Sequence, residues 1–262
     1  MLAYATLLKM IHLNNIFSYP KYIYNVNSAK EVLPHIFETF KHDSVVDVGC
    51  GPGDWLKVSK DLGTKKILGI DEINVDKQNS NITSQERITH NLNLPFDVLE
   101  KYDIAFCLEV VEHLPIESSK TIINTLTSLS DVILFSAAIP HQGGNNHINE
   151  QWPSYWQSFF FKNEFIPIDL PGHKLWDSKS VEWWYKQNMI VYVNRKKALE
   201  MLLNPLIHIP IYIREELYIS KINEINDLRN EIELKDSFIQ QKISHLSFLS
   251  KIKKLVRSTL GF

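Results

Sequence analysis

The sequence predicts an α/β protein followed by a helical tail, on three observations. From about residue 28 to about residue 195, short β-branched or apolar runs alternate with segments of helical apolar spacing. The first such run breaks abruptly into Gly49-Cys50-Gly51-Pro52-Gly53, a turn with glycine at alternate positions. From Glu215 onward neither glycine nor proline occurs until Gly261.

The chain has 262 residues, enough for one full α/β domain with additions. Its formal charge of −2 gives no overall electrostatic reason to expect a nucleic-acid partner. Two cysteines, Cys50 and Cys107, do not make a disulfide framework, and a reduced intracellular pair is the plainer reading. Residues 1–11 lack a basic leader and a clear cleavage site. No apolar run reaches the roughly 18 residues that a membrane span needs. A soluble, cytoplasmic protein is expected.

Residues 1–27 read as an N-terminal cover segment, with Tyr19 to Tyr24 extended. Ser28 is placed to cap a first helix, with Glu31 at the capping-box position and Pro34 in its early turns. Val32, Leu33, Ile36, Phe37 and Phe40 form its apolar stripe. Val45, Val46 and Val48 favour strand 1, and the glycines after it leave no side chain between backbone and ligand. A helix opening after Gly53 turns its free N–H groups toward that turn, where open α/β sheets bind ligands. The spacing fits neither the dinucleotide fingerprint nor the P-loop.

A short helix ends near Gly63, and Lys66 to Asp71 is strand 2. Asp71 stands about 20 residues beyond the glycine turn, where a carboxylate accepts hydrogen bonds from both ribose hydroxyls; Glu72 is the neighbouring alternative. After a polar loop over 74–85, Arg87 to Leu92 reads as strand 3 and Tyr102 to Cys107 as strand 4. A helix over Ile116 to Leu129 precedes strand 5, Asp131 to Ser136. A polar and aromatic loop runs from His141 to Trp156, with a helix over Ser154 to Phe161. Glu164 to Asp169, carrying Pro167, reads as an edge strand, and Met189 to Asn194 as strand 7. Residues 201–214 form a linker. Over 215–260, Tyr218, Ile225, Ile232, Phe238/Ile239 and Leu246 recur at nearly heptad spacing, which predicts a long helix or coiled coil. Two uses of it stand open: a homo-oligomer, or packing on its own domain. Its basic last turn, with Lys251, Lys253, Lys254 and Arg257, leaves peripheral contact with an anionic membrane as a further candidate.

Asp47-Val-Gly-Cys-Gly-Pro-Gly53 resembles motif I of the class I S-adenosylmethionine-dependent methyltransferases, and the resemblance spans roughly Ala29 to Arg195. Leu108-Glu-Val-Val-Glu-His-Leu-Pro115 resembles the family's segment after strand 4. The run from His141 to Trp156 looks like a subgroup of bacterial and viral members associated with glycan or cell-surface biosynthesis. The resemblance implies a Rossmann-like, seven-stranded, mostly parallel sheet over 28–200, with the last two strands as a hairpin-like edge. It implies S-adenosylmethionine as cofactor. The implied cofactor-binding residues are Asp47, Gly49, Cys50, Gly51, Gly53, Asp71, Glu72, Asn91, Leu92 and Leu108. Asn91 stands where many members have aspartate, and an amide both donates and accepts.

Methyl transfer from a sulfonium needs no acid, because the leaving group departs as a neutral thioether. A hydroxyl acceptor gains from a base, and histidine has the right pKa. His147, His113 and His141 are the candidates. His147 and Glu150 converge if residues 146–151 are helical, so that one orients the other; Glu109 and His113 share a face if a helix starts after strand 4. No metal is expected, and a divalent ion is the rival use of the same groups. Trp152, Tyr155, Trp156, Trp176, Trp183 and Trp184 are candidates for an acceptor wall, with Gln142, Asn145, Asn146 and Asn149 to bond hydroxyls. The resemblance implies methyl transfer, and this composition favours a sugar or glycan precursor as the acceptor, so that O-methylation of a small polar acceptor is the leading reading. The alternatives are a quinone-precursor or other aromatic hydroxyl, or a noncatalytic S-adenosylmethionine-binding scaffold.

Overall fold

A computed structural model of the chain describes residues 25–72, 79–96, 100–168, 170, 175–206 and 209–260. The expected extended segment Tyr19 to Tyr24, most of the cover segment, and parts of the loops over 74–85 and 171–177 lie outside the described residues. The chain divides into a unit that ends at Tyr212 and a second that begins at Ile213.

The first unit is built on a seven-stranded sheet. In chain order its described elements are α1 (Asn27–Thr39), β1 (Ser44–Val48), α2 (Asp54–Asp61), β2 (Lys66–Asp71), β3 (Arg87–Thr89), β4 (Ile104–Leu108), α3 (Ser119–Leu129), β5 (Val132–Ser136), α4 (Pro153–Lys162), β6 (Phe165–Ile168), α5 (Trp183–Asn188), β7 (Ile190–Asn194) and α6 (Arg195–Glu200). The strand order is β3-β2-β1-β4-β5-β7-β6. Strands β1 to β5 pair parallel, whereas β7 lies antiparallel to both β5 and β6. The edge position of β6 leaves room for Pro167, which has no N–H to give a further neighbour.

Side-chain alternation divides the core between the two faces of the sheet. Val45, Ile104, Phe106, Val132, Leu134, Val191 and Val193 join the cluster under α1 and α2. Val46, Ala105, Cys107, Ile133, Phe135 and Tyr192 join the one that includes Ile122, Ile123 and Leu126 of α3 and Phe160 of α4. Central strands are therefore apolar at most positions, because helices cover both faces, and Asp47 of β1 is the buried charged exception. On the second face Tyr192 stacks on Phe160 with centroids 3.7 Å apart.

Two local expectations are corrected. Ser28 does not cap α1: the helix begins one residue earlier, and the Ser28 hydroxyl accepts the Glu182 N–H at 3.0 Å. Pro34, expected in the early turns, lies inside α1. Trp156 belongs to no acceptor wall; it is 1 % exposed and packs on Phe135 and Tyr155. Trp156 lies within α4, four residues past the exposed N-cap Trp152, and faces the core beside the sheet.

The second unit is one helix, α7 (Glu215–Leu260), 46 residues long. Its heptad positions Tyr218, Ile225, Ile232, Ile239 and Leu246 are exposed within the chain. Among the described residues no helix is long and apolar enough to cross a membrane.

Candidate active site

The site is built at the carboxyl ends of β1, β2, β4 and β5. Gly49, Gly51 and Gly53 all have positive φ, and Gly53 is the left-handed N-cap of α2. The absence of a side chain at Gly49 is structural as well: a Cβ there would stand 2.3 Å from Cγ2 of Val110. The loop after β4 thus rests directly on the glycine turn. The turn is pinned from below by Gly49 N–H donating to the Ile70 carbonyl at 2.7 Å.

Asp71 ends β2 with its carboxylate turned to the loop, where Oδ2 accepts the Gly51 N–H at 2.8 Å. Arg87, from β3, donates to the Gly51 carbonyl at 2.5 Å; sequence reasoning placed Arg87 only as the start of a strand. Asp47 is 3 % exposed, and its pKa is pushed up to about 7 by burial first and by the Asp71 charge second, with Arg87 opposing. Cys50 is buried, its Sγ filling the space left by Gly69, so only its backbone is open to a ligand. Glu72 is exposed. Asn91 is also exposed and spends Oδ1 on the Asn93 backbone N–H at 2.9 Å. Leu92 and Leu108 are buried, on opposite faces of the sheet.

The condition for Glu109 and His113 to share a face, a helix starting directly after strand 4, is not met. Glu109 takes φ 53 and a 3₁₀ turn over Val111–His113 follows, so Glu109 and His113 do not share a helix face. Glu109 points instead into an amide cluster: Asn188 Nδ2 donates to its Oε1 at 3.1 Å and Gln142 Nε2 to its Oε2 at 3.2 Å. Gln142 Oε1 in turn accepts from Asn188 Nδ2 at 2.9 Å and Gln187 Nε2 at 3.1 Å. Burial raises the Glu109 pKa, and these donors oppose the rise. Gln142 and Asn149, expected to bond sugar hydroxyls, are consumed inside the protein, Asn149 by the Val111 carbonyl and Ser119.

The loop after β5 is laced onto the turn after β4. Backbone N–H groups of Ile148 and Asn149 both donate to the Glu112 carbonyl, at 2.9 and 3.0 Å. Residues 146–151 are not helical, yet His147 and Glu150 meet, with Nδ1 3.0 Å from Oε1. Glu150 also closes the loop on itself by accepting the Gly143 N–H and the His141 N–H, each at 2.7 Å. His141 contributes that backbone N–H, and its side chain is exposed. The His113 and His147 rings stand edge to face with centroids 4.9 Å apart. The His113 pKa is lowered, by burial first and the His147 charge second.

Glu112 was passed over in the sequence, although it lies in the quoted Glu-Val-Val-Glu-His run. It is 0 % exposed and neither carboxylate oxygen has a hydrogen-bond partner. Burial, then the Glu109 charge, raises its pKa well above the usual range. One ligand atom from each of Glu112, His113 and His147 lies within 4.8 Å of the others. A second acidic residue beside a histidine, directly after a buried strand, was the available signal.

Residues 23–188 match a methyltransferase-domain family. Among solved structures, magnesium protoporphyrin IX methyltransferase from Synechocystis PCC 6803 with bound SAM is 20% identical, covers 57% of this chain and 69% of its own, and has a TM-score of 0.42. The small RNA methyltransferase HEN1 is 17% identical with a TM-score of 0.48; the match covers 63% of this chain and only 24% of that one. A SAM-dependent methyltransferase from Archaeoglobus fulgidus is 14% identical over 64% of this chain and 94% of its own, with a TM-score of 0.44. No curated protein matches the chain.

Proposed function

The chain belongs to the methyltransferase-domain family, whose methyl donor is S-adenosylmethionine, and on that premise we propose that it methylates a hydroxyl of a small polar acceptor, a sugar or glycan precursor. The donor is assigned to the glycine turn: backbone at Gly49, Gly51 and Gly53 makes room for the methionyl part, and Asp71 takes the ribose end. Pre-alignment of donor and acceptor supplies much of the rate.

The observation that carries the choice of a hydroxyl is the polar group of His113, His147 and Glu150 beside the turn that rests on Gly49. A thioether leaves without help, whereas a hydroxyl must lose its proton as the new O–C bond forms. Activation of the acceptor is assigned to this group, with Glu150 orienting the His147 ring. The sugar-like class rests on the exposed amides Asn145 and Asn146 and on Trp152, 40 % exposed, in the same loop. We assign the heptad face of α7 to pairing with a second copy of the chain.

The test is methyl transfer from labelled S-adenosylmethionine to a panel of sugar nucleotides and lipid-linked glycans. Turnover is expected on a member of the panel, falling about 10²- to 10⁴-fold in His147→Ala while donor binding persists. Turnover that His147→Ala leaves unchanged contradicts the assignment of the activating group. Transfer to amines alone contradicts the hydroxyl.

A further inference from the structure

We propose that Glu112, His113 and His147 hold a divalent first-row transition ion, which rests on the methyl-transfer reading only for what the ion does. One ligand atom from each of the three lies within 4.8 Å of the others. That spacing contracts to a shared ion with small side-chain adjustments. Proximity alone is common among polar residues, and a second observation is independent of it. Glu112 is 0 % exposed, with both carboxylate oxygens lacking a partner. A buried carboxyl short of hydrogen-bond partners is costly to ionise, and a cation in the cluster would stabilise its charged form.

The surroundings match what a metal site requires. Glu150 holds Nδ1 of His147 at 3.0 Å, which fixes the ring and leaves Nε2 for the ion. Gly144 lies against that ring, where a Cβ would come within 2.3 Å of Nε2, so the loop closes here only with glycine. The two backbone N–H groups on the Glu112 carbonyl lock the loop carrying His147 to the turn carrying Glu112 and His113.

Two imidazoles and one carboxylate suit Zn²⁺, Mn²⁺, Fe²⁺ or Co²⁺ better than Mg²⁺, which prefers oxygen ligands. Three protein ligands leave coordination positions open for the acceptor. An acceptor hydroxyl bound there becomes more acidic and gives its proton to solvent. Its oxygen then forms the bond to the methyl carbon, and the C–S bond breaks with its electron pair staying on sulfur, giving a neutral thioether.

The test titrates Co²⁺ into the chelator-stripped full chain without S-adenosylmethionine and reads the visible absorption of the bound ion. One Co²⁺ per chain is expected, with affinity reduced at least about 10-fold in Glu112→Gln and in His113→Asn. His245→Ala, on the exposed face of α7, is expected to bind as wild type does. Circular dichroism of each variant reports folding, and the wild-type titration stands without any variant. No absorption from wild type overturns the metal site, as does binding that survives both substitutions in folded protein. Donor binding, measured separately on the metal-free chain, distinguishes the two failures. Donor bound with no Co²⁺ signal removes the ion and keeps methyl transfer; Co²⁺ bound with no donor keeps the site and removes methyl transfer.

Discussion

Asp47 carries the cost of its place. It is the penultimate residue of β1, almost fully buried, beside the charge of Asp71, and its pKa rises to about 7. An ordinary aspartate titrates near 4, so between about pH 4 and about pH 7 the folded state binds more protons than the unfolded one. Stability contributed by this residue is therefore lost as pH rises through that window. Asp47→Asn is expected to flatten the fall in melting temperature between about pH 4 and about pH 7, and an unchanged slope contradicts it. Glu109 and Glu112, three residues apart, differ in what surrounds them: amides satisfy the first, while the second has no hydrogen-bond partner. The sequence showed both carboxylates but not this contrast, because the amides that separate them come from residues 142 and 188. For the same reason the inward turn of Gln142 and Asn149 was not legible. An amide's direction is set by partners distant in sequence.

At the level of elements, the sheet was largely legible. Strands β1, β4, β5 and β7 are mainly apolar runs buried on both faces, and such runs show without knowledge of their neighbours. The hairpin-like edge of β6 and β7 came from the family resemblance and is present. Whether a helix starts directly after β4 was not legible, because Glu109 takes a positive φ that no residue in the run demands. What holds that turn is the amide cluster that joins the end of β4, the loop after β5 and the end of α5. Asn188→Ala leaves acceptors on Glu109 and Gln142 short of a donor. It is expected to cost about 1 to 3 kcal/mol in urea denaturation, and wild-type stability would show that the cluster does not hold these elements.

For the whole molecule, a cofactor-binding unit precedes a separate helix of 46 residues. Apolar side chains at Tyr218, Ile225, Ile232, Ile239 and Leu246 are exposed when the chain is alone. Burying such a seam against a copy of itself removes apolar surface from water. Sedimentation of the full chain is expected to give an oligomer, and of a chain ended at Arg214 a monomer; equal protomer numbers in the two contradict the pairing. The central claim is that the glycine turn binds the methyl donor, and calorimetric titration of S-adenosylmethionine into the full chain tests it most directly. One equivalent is expected to bind, and Gly49→Ala, which drives a Cβ into Val110, is expected to bind at least about 10-fold more weakly. No binding by the wild-type chain, or an affinity unchanged in folded Gly49→Ala, would contradict it.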